Sequence, residues 1–145
     1  MRKTHIRDYA TEAFRFFART GSSQKYCEAL EMDIQRGGGN GLSDPTVGEL
    51  ILRETARENH LAEILDLTAV ERTFAILRTM KNGSDIIRAV QIVYMRHPER
   101  NVKRGEISKR VTEVVLDCFV CEWQVYNWLA TAREIFAIER GLRCE

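Results

Sequence analysis

At 145 residues the chain fits one domain, or one domain with a helical extension, and it is long enough to bury a core. Apolar residues make up 44% and charged residues 30%, which excludes a disordered chain, and a net charge of +1 is far from the strongly basic balance typical of a nucleic-acid binder. Only Pro45 and Pro98 interrupt frequent Ala, Leu, Glu and Arg, so the composition predicts an all-α protein.

No apolar run reaches the roughly 18 residues that suggest a membrane span, and no membrane partner is expected. The opening "MRKTHIRDYATEAF" has no apolar core behind its basic residues, so it does not read as a secretory signal. The expectation is a cytoplasmic protein whose four cysteines are reduced.

Taken in chain order, Ile6, Tyr9, Ala13, Phe14 and Phe17 form an i, i+3, i+4 stripe, and Gly21 is a suitable stop for that first helix. A second helix is predicted over 22–36, with Tyr26, Ala29, Leu30 and Ile34 turned inward. Residues 1–36 then form an N-terminal helical hairpin and 37–45 a Gly-rich linker. That linker is no P-loop, because Gly41 is followed by Leu42 and not by Lys and Ser/Thr.

Central helices are predicted over 46–82. The helical period resumes through Val47, Leu50, Ile51, Leu61, Ile64 and Leu65. A capping box is expected next, the Thr68 hydroxyl capping the turn while Glu71 returns to the Thr68 amide. Val70, Phe74 and Leu77 form an inner face, Gly83 suits a C-cap, and Ser84 opens a helix with Ile86, Ile87, Val90, Val93 and Tyr94 inward. It ends before Pro98.

Residues 96–110, "RHPERNVKRGEISKR", set six basic residues against Glu99 and Glu106, a local excess of +4 that can bind phosphate or remain a solvated loop. Two helices follow. The first carries Ile107, Val111, Val114, Val115 and Cys118 at helical spacing; the second carries Val125, Trp128, Leu129, Ala132, Ile135 and Phe136 and runs to Gly141. Only "FVC", Phe119 to Cys121, lies between them, as a helix-turn-helix requires. Val120 plugs the turn and Cys121 holds the capping position.

"EVVLDCFVCEWQVYNWLATAREIF" resembles the C-terminal helix-turn-helix of sigma factors, region four. Glu113 and Val114 match its start, Val120 and Cys121 its turn, Val125 and Trp128 its buried aliphatics, and Ala130 and Ala132 its small residues. "VYNWLATAR" is similar to the second helix of small sigma-like regulators of phages and prophages, including late-gene activators. The resemblance covers about 65 C-terminal residues. It implies that 83–145 is a DNA-binding domain of a transcription regulator, with duplex DNA as partner.

In such a motif the second helix enters the major groove. Its outward residues here are Glu122, Trp123, Gln124, Tyr126, Asn127 and Thr131, the candidates for base contact. Asn127 and Gln124 suit adenine, and Trp123 or Tyr126 a thymine methyl. Arg100, Lys103, Arg104, Lys109, Arg110 and Arg133 are the candidates for phosphate contact. The chain departs from the sigma pattern at Glu122, Trp123 and Tyr126, where the family carries Arg, Glu and Arg, so a standard promoter element is not inherited.

One C-x-x-C without a second ligand pair implies no metal site, and no cofactor is expected. Trp128 reads as core, and only Trp123 and Tyr126 as surface. The first 80 residues carry eleven basic and twelve acidic groups. They either mediate dimerisation or contact with RNA polymerase, or they complete one helical core. His5, His60 and His97 are scattered and no nucleophile motif stands out, so an enzyme is not expected. A small-terminase-like packaging protein and a helix-turn-helix protein-interaction module are the alternatives.

Overall fold

The computed structural model describes residues 3–38 and 47–142. Its described elements are α1 (Lys3–Thr20), α2 (Ser23–Gly38), α3 (Val47–Asn59), α4 (Leu61–Thr79), α5 (Gly83–Val93), α6 (Glu106–Cys118) and α7 (Glu122–Arg140). No strand occurs among the described residues, and the protein is all-α. None of these helices is long and apolar enough to cross a membrane.

One aromatic cluster organises the core. Phe14 of α1 stacks on Tyr94, with ring centroids 6.0 Å apart, and lies 5.7 Å from Phe136 of α7 and 6.1 Å from Phe74 of α4. Around it pack Val70 and Leu77 of α4, Val90 and Val93 of α5, Val111 and Val114 of α6, and Val125, Leu129 and Ala132 of α7. Helices from the expected N-terminal, central and C-terminal segments therefore share one core, because α1 brings Ala10, Ala13 and Phe14 into it. Emptying the Phe14 site would cost about 3–5 kcal/mol.

A polar tie reinforces the same three-helix contact. Asp66 of α4 accepts from the Tyr9 hydroxyl of α1 at 2.6 Å and from Nε of Arg140 of α7 at 2.7 Å. Helix α2 lies outside this core, against α3 and α4. Gly21 turns the chain from α1 into α2 with φ of +89°, a conformation open to glycine.

Several local expectations are corrected. Thr68 starts no helix: it lies within α4, and its hydroxyl donates back to the carbonyl of Ile64. The break before α4 falls at His60 instead. Glu71 does not return to the Thr68 amide; it accepts from the Ser23 amide at 2.6 Å and from the Ser23 hydroxyl at 3.2 Å, which seats a carboxylate at the N-terminus of α2. Gly83 is the buried first residue of α5 and not a C-cap. A Cβ there would lie 1.6 Å from the carbonyl oxygen of Leu77, so the close approach of α5 to the end of α4 requires glycine.

Ala29 is exposed, not inward. Of the apolar series through α3 and the start of α4, Val47, Leu50, Ile51, Leu61 and Leu65 are exposed and only Ile64 is half-buried. Gly37 and Gly38 of the expected linker close α2, while residues 39–45 and the side chain of Ile34 lie outside the described residues.

Candidate nucleic-acid interface

Helix α6 ends where Phe119 turns left-handed, at φ of 56° and ψ of 44°. The chain then extends through Cys121, at φ of −82° and ψ of 162°, and α7 begins at Glu122. Val120 packs against the core from within this three-residue turn. Cys121 holds the capping position, yet its side chain makes no capping hydrogen bond and is exposed. The carbonyl of Cys121 accepts from the amides of Gln124 and Val125, which starts the helix.

Burial fixes the orientation of α7. Val125, Trp128, Leu129, Ala132, Phe136 and Ala137 are buried, so the opposite side is free. Glu122, Trp123, Tyr126 and Asn127 are exposed, Trp123 to 70%. Gln124 is half-buried, and Thr131 is half-buried with its hydroxyl donating to the carbonyl of Asn127. Four of the six base-contact candidates thus stand clear on one end of α7, and the other two are partly withdrawn.

The basic candidates divide by their partners. Arg110 is buried to 4% exposure. One guanidinium nitrogen donates to the carbonyl of Val93 at 2.8 Å and the other lies 3.5 Å from Glu106. Burial pulls its pKa below the ordinary arginine range. That corrects its assignment to phosphate contact: Arg110 is a core-side residue of α6.

Arg100 grips Glu106 with both terminal nitrogens, at 2.6 and 3.3 Å. That grip and the Lys103 amide, which donates to the same carboxylate at 3.0 Å, hold the Glu106 pKa at about 2. Arg96 pairs with Glu113, and Arg88 with Asp117. Lys103, Arg104 and Lys109 are exposed and make no ion pair with a described residue. Arg133 is half-buried, its guanidinium donating to the Tyr94 hydroxyl at 2.6 Å. The local excess of charge thus resolves into three unpaired cations on the loop and the start of α6.

No family model, curated protein or solved structure matches the chain.

Residues absent from the sequence-based set also shape this face. Arg15 of α1 is 7% exposed, and its guanidinium donates to the carbonyls of Pro98 and Arg100; Arg19 adds a bond to the Pro98 carbonyl at 3.1 Å. Helix α1 thereby holds the basic loop between α5 and α6. Nothing in the local sequence signals this, because the acceptors are backbone carbonyls more than 75 residues away.

The thiols of Cys27, Cys118 and Cys121 are free. Cys118 is half-buried, and burial raises its pKa. Among the described residues, no group of three His, Cys, Asp or Glu side chains converges as a metal site would need.

Proposed function

We propose that the chain is a sequence-specific DNA-binding transcription regulator of sigma-region-four type, of the kind phages and prophages carry, and that it is not an enzyme. The supporting observation is the end of α7. A three-residue turn separates it from α6, one side is anchored in the core, and Glu122, Trp123, Tyr126 and Asn127 stand exposed on the other. A helix presented this way can enter the major groove while Lys103, Arg104 and Lys109 neutralise flanking phosphates. In this reading the protein acts in the cytoplasm, and RNA polymerase or a second copy of the chain engages the helices outside α6 and α7.

The test is selection from a random duplex library at low and moderate salt, comparing wild type with Trp123→Ala/Asn127→Ala. An enriched motif is expected, with affinity falling about 10- to 100-fold in the variant. Failure to retain any duplex at low salt rejects the DNA reading.

A second reading has a specific observation behind it. Leu116, Phe119 and Trp123 are 71%, 93% and 70% exposed within eight residues around the turn, and large apolar side chains exposed together mark interaction surfaces. That surface suits a helix-turn-helix docking on a protein, as in an interaction module or a small-terminase-like packaging subunit. Defined oligomers or a protein complex lost in Phe119→Ser, without duplex binding, would favour it.

A further inference from the structure

A cleft of about 360 Å³ lies between α1 and α7. Arg7 and Thr11 line one side, Tyr126 and Arg133 the other, and Ile107 and Leu129 supply apolar surface. Arg7 and Thr11 are one helical turn apart and Tyr126 and Arg133 two turns apart, so each pair shares a face of its helix. Tyr94 joins the lining and pins Arg133, whose Nη1 donates to the Tyr94 hydroxyl at 2.6 Å. The position of that guanidinium is therefore set by the core, through a tyrosine only 6% exposed.

The charges leave the cleft cationic. Arg133 makes no ion pair with a described residue, and the carboxylate beside Arg7 is that of Asp8, 3.6 Å away and also on the lining. The Thr11 hydroxyl already donates to the carbonyl of Arg7 at 2.7 Å. Donors left for a ligand are the two guanidiniums, the Tyr126 hydroxyl and the proton of the Tyr94 hydroxyl, whose oxygen accepts from Arg133. Two cations, one carboxylate and an apolar, aromatic wall suit an anion attached to a flat apolar body.

We infer that this cleft binds a phosphate ester, and that α1 thereby forms part of the binding surface with α7. The phosphate has two possible sources with the same chemistry: the backbone of a bound duplex or a free nucleotide. For the duplex source the inference rests on the DNA reading of α7.

The experiment titrates the full chain with a random duplex of about 20 base pairs and, separately, with deoxyadenosine monophosphate, at two salt concentrations. Wild type is compared with Arg7→Gln, Arg133→Gln, Asp8→Asn and the remote exposed control Arg78→Gln. Each cleft arginine variant should lose about 5- to 10-fold in affinity for the probe that occupies the cleft and, with the duplex, reduce the steepness of log K against log salt by about 0.9. Asp8→Asn should bind several-fold tighter, and Arg78→Gln should match wild type.

Loss confined to the duplex titration assigns the cleft to backbone phosphate; loss confined to the nucleotide titration assigns it to a free ligand and stands even if no duplex is bound. Duplex binding unchanged in both arginine variants, with no nucleotide bound, overturns the inference and leaves the DNA reading intact. Binding of neither probe by wild type overturns both. Arg7 is exposed, so Arg7→Gln keeps the test valid if Arg133→Gln unfolds.

Discussion

The guanidinium of Arg110 donates to the carbonyl of Val93 at 2.8 Å, joining the middle of the first turns of α6 to the last residue of α5. The carbonyl at a helix end would otherwise be left without a partner, and the cation sits where its charge complements the helix dipole.

Arg110→Ala should therefore destabilise the fold by about 2–3 kcal/mol. Its neighbour Lys109 is exposed, and Lys109→Ala should stay within about 0.5 kcal/mol of wild type. Urea denaturation separates the two. If the duplex reading is right, Lys109→Ala also weakens DNA binding at low salt, so the adjacent cations exchange phenotypes: one affects stability, the other affinity.

Glu106 gives the loop an acid-sensitive clasp. Its pKa in the fold, about 2, lies below the ordinary 4.5, chiefly because Arg100 donates to it and the Lys103 amide adds a bond. A carboxylate depressed on folding contributes stability above its unfolded pKa, and that contribution disappears as pH falls through the folded value. Wild type should lose this part of its stability between about pH 4.5 and 2. Glu106→Gln should lack it at every pH, so the two denaturation midpoints should converge toward the acid end of that window.

Phe119 is an aromatic residue in a left-handed conformation, with φ of 56° and 93% of its surface exposed. Such a backbone costs a residue with a Cβ about 1–2 kcal/mol, while glycine adopts it freely but loses more chain entropy on folding. Phe119→Gly should raise stability by about 0.5–1 kcal/mol in thermal or urea denaturation. A simultaneous fall in binding to DNA or to a protein partner would show that the ring serves recognition at the expense of stability.

Gly83→Ala tests the packing of α4 against α5. The added methyl would fall 1.6 Å from a backbone oxygen, and backbone cannot yield as a flexible side chain can. A loss of about 3 kcal/mol or more is expected. Ser84→Ala, one residue on and exposed, should change little.

The helices that hold the core were legible wherever apolar spacing and burial coincide: Ile6 and Phe14 in α1, Val90 and Val93 in α5, Val111 and Val114 in α6, Val125 and Trp128 in α7. The start of α4 was not. Thr68 and Glu71 carry capping-box spacing, but Glu71 has its partner 48 residues upstream, and no local pattern encodes such a pairing. Charge counting placed Arg110 on the surface, although Ile107, Arg110, Val111 and Val114 follow the i, i+3, i+4, i+7 series of an inner face. Side-chain spacing was the better guide there than charge. The α1 side of the cleft was hidden for another reason: Arg7 and Thr11 look like ordinary solvent-facing helix residues until α7 is packed beside them.

The bond from Ser23 to Glu71 bears on the order of assembly. During synthesis the first turn of α2 leaves the ribosome 48 residues before the carboxylate that completes its N-terminus. Until α4 docks, that turn has Ser22 as its local cap, through the hydroxyl that accepts from the Lys25 amide at 3.2 Å. A short helix with one weak cap is marginal in water. The first turn of α2 therefore gains its carboxylate partner only once α4 has emerged and packed against it.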